Sequence, residues 1–168
     1  ILLRNAFGAG ETIGLNWQQI QVQSPRLNLL YQHPYLLGSP VGLDFSLDML
    51  KKDSSFVNVN FQLGAQYALN TSQSGKLFLQ RFQTIISTGG INEALIIQSR
   101  VLPEIADVSS LNLGIDYEIN TTDYRLNPKK GSELRLVTAI GTKKLKKNNE
   151  ILDLKDPSDP NYDFDRLY

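Results

Sequence analysis

Residues 56–70 read FVNVNFQLGAQYALN and alternate in character almost without interruption. One parity holds Val57, Val59, Phe61, Leu63, Ala65, Tyr67 and Leu69; the other holds Asn58, Asn60, Gln62, Gly64, Gln66 and Ala68. A period of two specifies a β-strand, and a strand in an ordinary sandwich ends after about 5–6 residues. This run is more than twice as long, and its second face carries uncharged amides where a sandwich would need solvated charge or a second core. A strand that meets lipid on one side and a wet interior on the other has this composition. The feature therefore predicts an all-β, antiparallel transmembrane β-barrel.

Composition narrows the alternatives. The chain has 168 residues, enough for one domain. Its mean hydropathy is −0.23, and no run approaches the ~20 apolar residues of a spanning helix. A barrel escapes that test because only alternate residues meet lipid. A net charge of +0 excludes the basic footprint of a general nucleic-acid binder. The absence of cysteine excludes a disulfide framework, a thiolate nucleophile and any Cys-based metal site. The first residues, ILLRNAFGAG, contain neither an initiator Met nor a signal pattern, so a mature segment or a piece of a longer product is expected.

Further strands are expected at residues 12–21, 26–33, 41–50, 76–86, 110–120 and 132–143, with the end of another near residues 2–7. Gly8 to Gly10 supply a tight turn; Ser24-Pro25, residues 34–40, 51–55, 71–75 and 121–131 supply others. In residues 26–33 Leu30 breaks the alternation. Residues 87–107 lack a period and are expected to form a long loop with a short element of its own. After about residue 145 the pattern dissolves, so residues 146–168 are expected to be a polar extracellular loop. The connections at 23–25, 51–55, 87–109 and 144–168 share one end, which collects the longest loops, as the extracellular end of an outer-membrane barrel does.

Two longer stretches carry a family resemblance. FGAGETIGLNW followed by RLNLLYQHPYLLGSPVGLDFSL, and LNLGIDYEINTTDYRLNPKKGSELRL, are similar to barrel strands of the BamA and TamA outer-membrane assembly factors, the bacterial surface antigen type of barrel. The triplet His33, Pro34 and Tyr35 matches the strand-ending motif of that family. Asn127, Pro128 and Gly131 match its Pro-x-x-Gly turn. The resemblance covers most of residues 6–145 and implies the N-terminal half of a barrel of about sixteen strands. It also implies that the chain inserts or translocates other outer-membrane proteins in a bacterial outer membrane. Implied partners are outer-membrane lipid and lipopolysaccharide, unfolded outer-membrane protein substrates, the remaining barrel strands from the same or another chain, and periplasmic or lipoprotein partners. No POTRA domain, Arg-Gly loop motif, cofactor, nucleic-acid partner or enzymatic activity is expected in residues 1–168.

The lumen-facing set is read as Asn58, Asn60, Gln62, Gln66, Asn112, Asp116 and Glu118. Trp17, Tyr67 and Tyr117 are candidates for an aromatic girdle at the headgroup boundary. Lys51, Lys52, Lys143, Lys144, Lys146 and Lys147 gather at the long-loop end and are candidate contacts to lipopolysaccharide phosphate. His33 has no Ser/Asp constellation around it and is read as a turn residue, with no catalytic residue assigned. Asp153, Asp156, Asp159, Asp163 and Asp165 do not have EF-hand spacing and are read as a solvated loop, with no metal site assigned. A passive porin-like or uptake channel, and a soluble β-sandwich, are the rival readings.

Overall fold

The computed structural model describes residues 1–103, 106–124 and 126–168, with the backbone alone at Ile20 and Thr88. Glu104 and Ile105 of the long loop, and Arg125 of the 121–131 turn, lie outside the described residues. Eight strands form one antiparallel meander in chain order. They are β1 (Leu2–Arg4), β2 (Thr12–Gln21), β3 (Ser24–His33), β4 (Val41–Lys52), β5 (Phe56–Asn70), β6 (Gln73–Ile86), β7 (Val108–Asn120) and β8 (Glu133–Leu145). The strand at residues 56–70 has the boundaries its alternation predicts. From β2 onward every strand reaches at least the ~9–11 residues that a tilted crossing requires.

Several strand boundaries differ from the sequence reading by one to three residues. Ser24 and Pro25 belong to β3, with Pro25 opposite Gln19 beside a register shift; proline at the first residues of a strand removes no interior ladder bond. The turn expected over 71–75 contracts to Thr71 and Ser72, because Gln73 to Gly75 pair with β5 and β7. Leu30, the parity violation, sits opposite Gly14, where a Cβ would lie 3.3 Å from the Leu30 Cβ; the missing side chain there makes room for it.

The polar tail expected after residue 145 is instead structured. Helix α1 (Glu93–Ser99) lies in the long β6–β7 connection, and α2 (Asn149–Leu152) and a 3-10 turn (Phe164–Leu167) follow β8. Ile96, Ile151 and Phe164, each 1% exposed, form a small apolar core between these two segments. Asp107 ties them to the sheet: its carboxylate accepts from the Ile86 amide at 2.6 Å and from Asn148 Nδ2 at 2.6 Å. The aspartates read as solvated also hold this cap. Asp156 accepts from Arg100 at 3.1 Å and from the Ser158 amide at 2.8 Å, Asp163 caps the last 3-10 turn, and Asp165 pairs with Lys147. Polar residues read from composition alone look solvated; only their spacing in the fold reveals these partners.

Candidate functional site

The pairing register divides the sheet into two faces. One row on the first face runs Ile13, Tyr31, Phe45, Leu63, Leu79, Leu113 and Ile140, and the next runs Leu15, Leu29, Leu47, Phe61, Arg81, Leu111 and Thr142. The rows of the opposite face pass through Asn28, Asp48, Asn60 and Phe82, and through Gln32, Asp44, Gly64, Phe78 and Gly114.

Burial runs opposite to what a water-soluble protein requires. In β4 to β7 the buried residues are Gly42, Asp44, Gly64, Phe78, Ile86 and Gly114, all on the polar face. The aliphatic face is the more open one, with Trp17 at 66%, Leu63 at 46%, Leu113 at 50% and Ile140 at 80% exposed. Monomers in water rarely leave an apolar patch of more than a few hundred Å² uncovered, and this one extends across seven strands. From Val57 to Tyr67 the strand runs roughly 33 Å at ~3.3 Å per residue, and a ~40° tilt turns that into about 25 Å of height, the apolar band of an outer-membrane barrel.

The polar face is knit by side chains. Gln80 bridges β5 and β7, donating to Asn60 at 3.1 Å and accepting from Asn112 at 3.4 Å. Thr84 donates to Asn58 at 2.9 Å, and Asp116 accepts two bonds from Arg135 at 2.9 and 2.5 Å. Lys76 reaches across Gly64 to Asp44 at 2.6 Å, a pair made possible because a Cβ at Gly64 would stand 2.5 Å from the lysine Cε. The other Asp44 oxygen, Oδ1, is buried without a hydrogen-bond partner. Arg26 and Asn28 both donate to Asp48. Phe78 fills the space over Gly114, where a Cβ would come within 2.2 Å of its ring. Gln62 lies on this same face, whereas Gln66 and Glu118 border a hollow at the short-turn end. All seven residues read as lumen-facing thus share one face.

Tyr67 and Tyr117 share one outward row with Gly75 between them, close to the short-turn end. Trp17 is outward on β2, in a row nearer the opposite end. The six lysines fall in different surroundings. Lys51 and Lys144 occupy outward positions. Lys52 and Lys143 take the inward parity, with the Lys52 ammonium 5.8 Å from the Phe56 ring. Lys146 lies past β8, and Lys147 is paired with Asp165. Among the described strand residues, every aspartate and glutamate is on the inward face, so the outward charges of the ladders, Lys51, Arg81 and Lys144, are cationic.

The turns that carry the family motifs are built structures. The His33 and Pro34 carbonyls pack against Gly42, where a Cβ would lie 3.1 and 3.0 Å from them, and His33 Nδ1 is 3.3 Å from the Tyr31 hydroxyl. Tyr35 projects into solvent. In the later turn Asp123 accepts from the Lys130 and Lys129 amides at 3.1 and 2.9 Å, and these bonds, Lys130 foremost, hold its carboxyl below the usual range. Asn127 and Pro128 are exposed at that turn, and Gly131 has φ of 100° against the Thr121 carbonyl. Glu11, which the sequence reading left without a role, is 1% exposed and accepts from the Phe7 and Ala9 amides. Those amides, Phe7 foremost, hold its carboxyl below 4.5. A glutamate closing a Gly-x-Gly turn was the available signal for it.

No curated protein and no solved structure matches the chain. A family model described as the Omp85 superfamily domain matches residues 5–155. That superfamily comprises outer-membrane proteins of bacteria that serve, in general, outer-membrane protein assembly or translocation. With an apolar outer face, a polar inner face and strands of spanning length already established, the chain belongs to the Omp85 superfamily, and its sheet is part of an antiparallel transmembrane β-barrel.

Proposed function

We infer that the protein inserts or translocates other outer-membrane proteins through its barrel, as an assembly factor of the BamA or TamA type. The observation that carries this reading is the inverted burial of the sheet, with amides and ion pairs packed inward and leucines left open, taken with the superfamily match. In this reading the long-loop end and its cap face outside the cell, the short turns face the periplasm, and Trp17, Tyr67 and Tyr117 sit at the two headgroup boundaries. Asn58, Asn60, Gln62, Gln66, Asn112, Asp116 and Glu118 line a hydrated interior through which a substrate strand passes.

Among the described residues, β8 pairs only with β7 and β1 only with β2. Open edges do not persist in hydrocarbon, so further strands, from the same or another chain, close the barrel in the membrane. An edge that opens transiently offers backbone groups for pairing to an incoming strand. Periplasmic or lipoprotein partners deliver that strand to the short-turn end. No step in this role makes or breaks a covalent bond, and no catalytic residue is required.

The test is reconstitution of the protein into lipid vesicles, followed by addition of a urea-denatured outer-membrane barrel. The folded fraction of that substrate is read over time from its heat-modifiable gel migration. Assembly activity raises the folding rate several-fold over protein-free vesicles. Steady ion conductance without any acceleration assigns the passive channel instead, and a protein that is monodisperse without detergent assigns the soluble sandwich.

A further inference from the structure

Arg81 occupies an outward position in the middle of an aliphatic row, opposite Phe61 on β5 and Leu111 on β7. It makes no ion pair among the described residues. Facing lipid, an arginine costs about 2–4 kcal/mol at the bilayer midplane and ~0–1 kcal/mol near its boundary. A lone cation kept on such a wall calls for a counter-charge. Among the described strand residues none is on that face, because every carboxylate there takes the inward position.

The surroundings of Arg81 have the layout of a lipid. On β6 to β8 the next row toward the long loops is polar, Gln83 to Ser109 to Lys144, before it continues as Val59 and Met49 on β5 and β4, and Thr142 ends the row of Arg81 itself. Lys144 lies two strands away and one outward row higher, roughly 12 Å between Cα atoms at ~4.8 Å per strand and ~3.4 Å per residue. That separation is within the combined reach of an arginine and a lysine side chain to one phosphate, which a planar guanidinium can bind through two parallel N–H bonds. The row on the other side is Leu79, Leu113 and Ile140, and a shallow groove beside it is lined by Leu77 and Ile115. Headgroup chemistry above and acyl-chain chemistry below thus follow one another along the strands.

We propose that Arg81 and Lys144 form a binding site for the phosphate of an anionic, multiply acylated membrane lipid of the lipid A class, whose acyl chains lie on Leu79, Leu113 and Ile140. The site rests on the reading of the outward face as lipid-exposed. Lys144 is one residue from the long-loop end of β8 and Arg81 five residues from that end of β6, so the bound lipid belongs to the leaflet on that side. Arg81 supplies directional recognition of the phosphate and Lys144 a point charge. The six lysines named from sequence reduce, at this site, to Lys144, and Arg81 joins it.

The experiment uses the protein in neutral detergent micelles doped with synthetic diphosphoryl hexa-acyl lipid A or with the same acylated sugar lacking phosphate. Native mass spectrometry reads the retained lipid. The wild type is expected to retain the phosphorylated lipid preferentially, R81Q to lower its apparent affinity about tenfold, as loss of a hydrogen-bonded ionic contact does, R81K to fall between, and R81Q/K144Q to abolish the preference. Equal retention of the two lipids by the wild type, or equal retention of the phosphorylated lipid by wild type and double variant, overturns the site while leaving the lipid-facing wall intact. A protein that stays monodisperse without detergent and does not enter micelles overturns both.

Discussion

Adding one methyl group at Gly114 should unseat Phe78, the most buried phenylalanine of the sheet. The Cβ of an alanine there would fall 2.2, 2.6 and 2.8 Å from three atoms of the Phe78 ring, against ordinary contacts of 3.4–4 Å, so the ring must move by more than 1 Å. Its neighbour on the other strand is Gly64, which leaves no escape: the space above Gly64 is occupied by the Lys76 and Asp44 side chains. Backbone strain plays no part, since Gly114 is not among the residues with positive φ. The cost is therefore overpacking, about 1–3 kcal/mol, and for a chain of this size roughly 2–4 °C in Tm per kcal/mol. We expect G114A to lower the midpoint of heat-modifiable unfolding in micelles by about 4–8 °C, taking a central cost of ~2 kcal/mol.

The control and the double variant make the reasoning refutable. Gly75 sits in the same sheet with open space where a Cβ would stand, no atom coming within 4 Å of that point, so G75A should change stability by no more than ~0.5 kcal/mol. F78L alone should cost about 1 kcal/mol, as a large-to-small change that keeps an apolar side chain over the glycine. In G114A/F78L the smaller side chain no longer meets the new methyl, so the double variant should cost about 1 kcal/mol where independent effects would sum to ~3 kcal/mol. If G114A behaves like G75A, or if the two costs simply add, Phe78 is not locked over Gly114 and the inward packing is wrong.

Three further outcomes follow from the same geometry. K76M should destabilise the sheet by about 2 kcal/mol or more, because it strips the cation paired with Asp44 among the described residues, an aspartate 7% exposed, and K76M/D44N should recover most of the loss, read by urea unfolding in micelles. Lowering pH should loosen the turn at residues 5–11: a carboxyl whose folded pKa is depressed adds stability above its unfolded value, 4.5 for Glu11, and loses it as pH falls through the folded value. Amide exchange at Phe7 and Ala9 should therefore be unchanged between pH 7 and 5, beyond the intrinsic chemical dependence, and accelerate below 4.5; acceleration that E11Q shows equally would assign it elsewhere. F164A should cost the cap about 3 kcal/mol, exposing residues 87–107 and 146–168 to limited proteolysis while the β-sheet keeps its heat-modifiable migration; an uncut chain would mean that Ile96 and Ile151 hold the cap without it.

Parity in the sequence was enough to recover the strands, their order and their faces, because a period of two is a local signal that each strand carries for itself. The same local character explains the errors. Pro25 and Gln73 look like turn residues in isolation, and only pairing with Gln19 and with Phe56's strand brings them into the ladder. The cap was missed because its core joins Ile96 to Ile151 and Phe164, more than fifty positions further along the chain. Asp156 could be recognised as a structural acceptor only once Arg100 was beside it.

Arg81 shows the limit most sharply, and why it matters for function. Alternation alone already placed Arg81 with Leu77 and Leu79, but a single charge within one irregular strand reads as noise in the pattern. Register changes its meaning, because the ladder extends the position sideways to Phe61 and Leu111 and then diagonally to Lys144. A violation of the apolar code in one strand becomes part of a polar row, Gln83, Ser109 and Lys144, with Arg81 and Thr142 one row below it on either side of Leu111. Leu30 is the opposite case: its violation is inward, is absorbed by the space over Gly14, and leads to no patch at all. Two departures that look alike in sequence therefore part on one physical question, whether a neighbour within the chain compensates the misfit. Leu30 is compensated from within, whereas Arg81 requires a partner from the surrounding membrane.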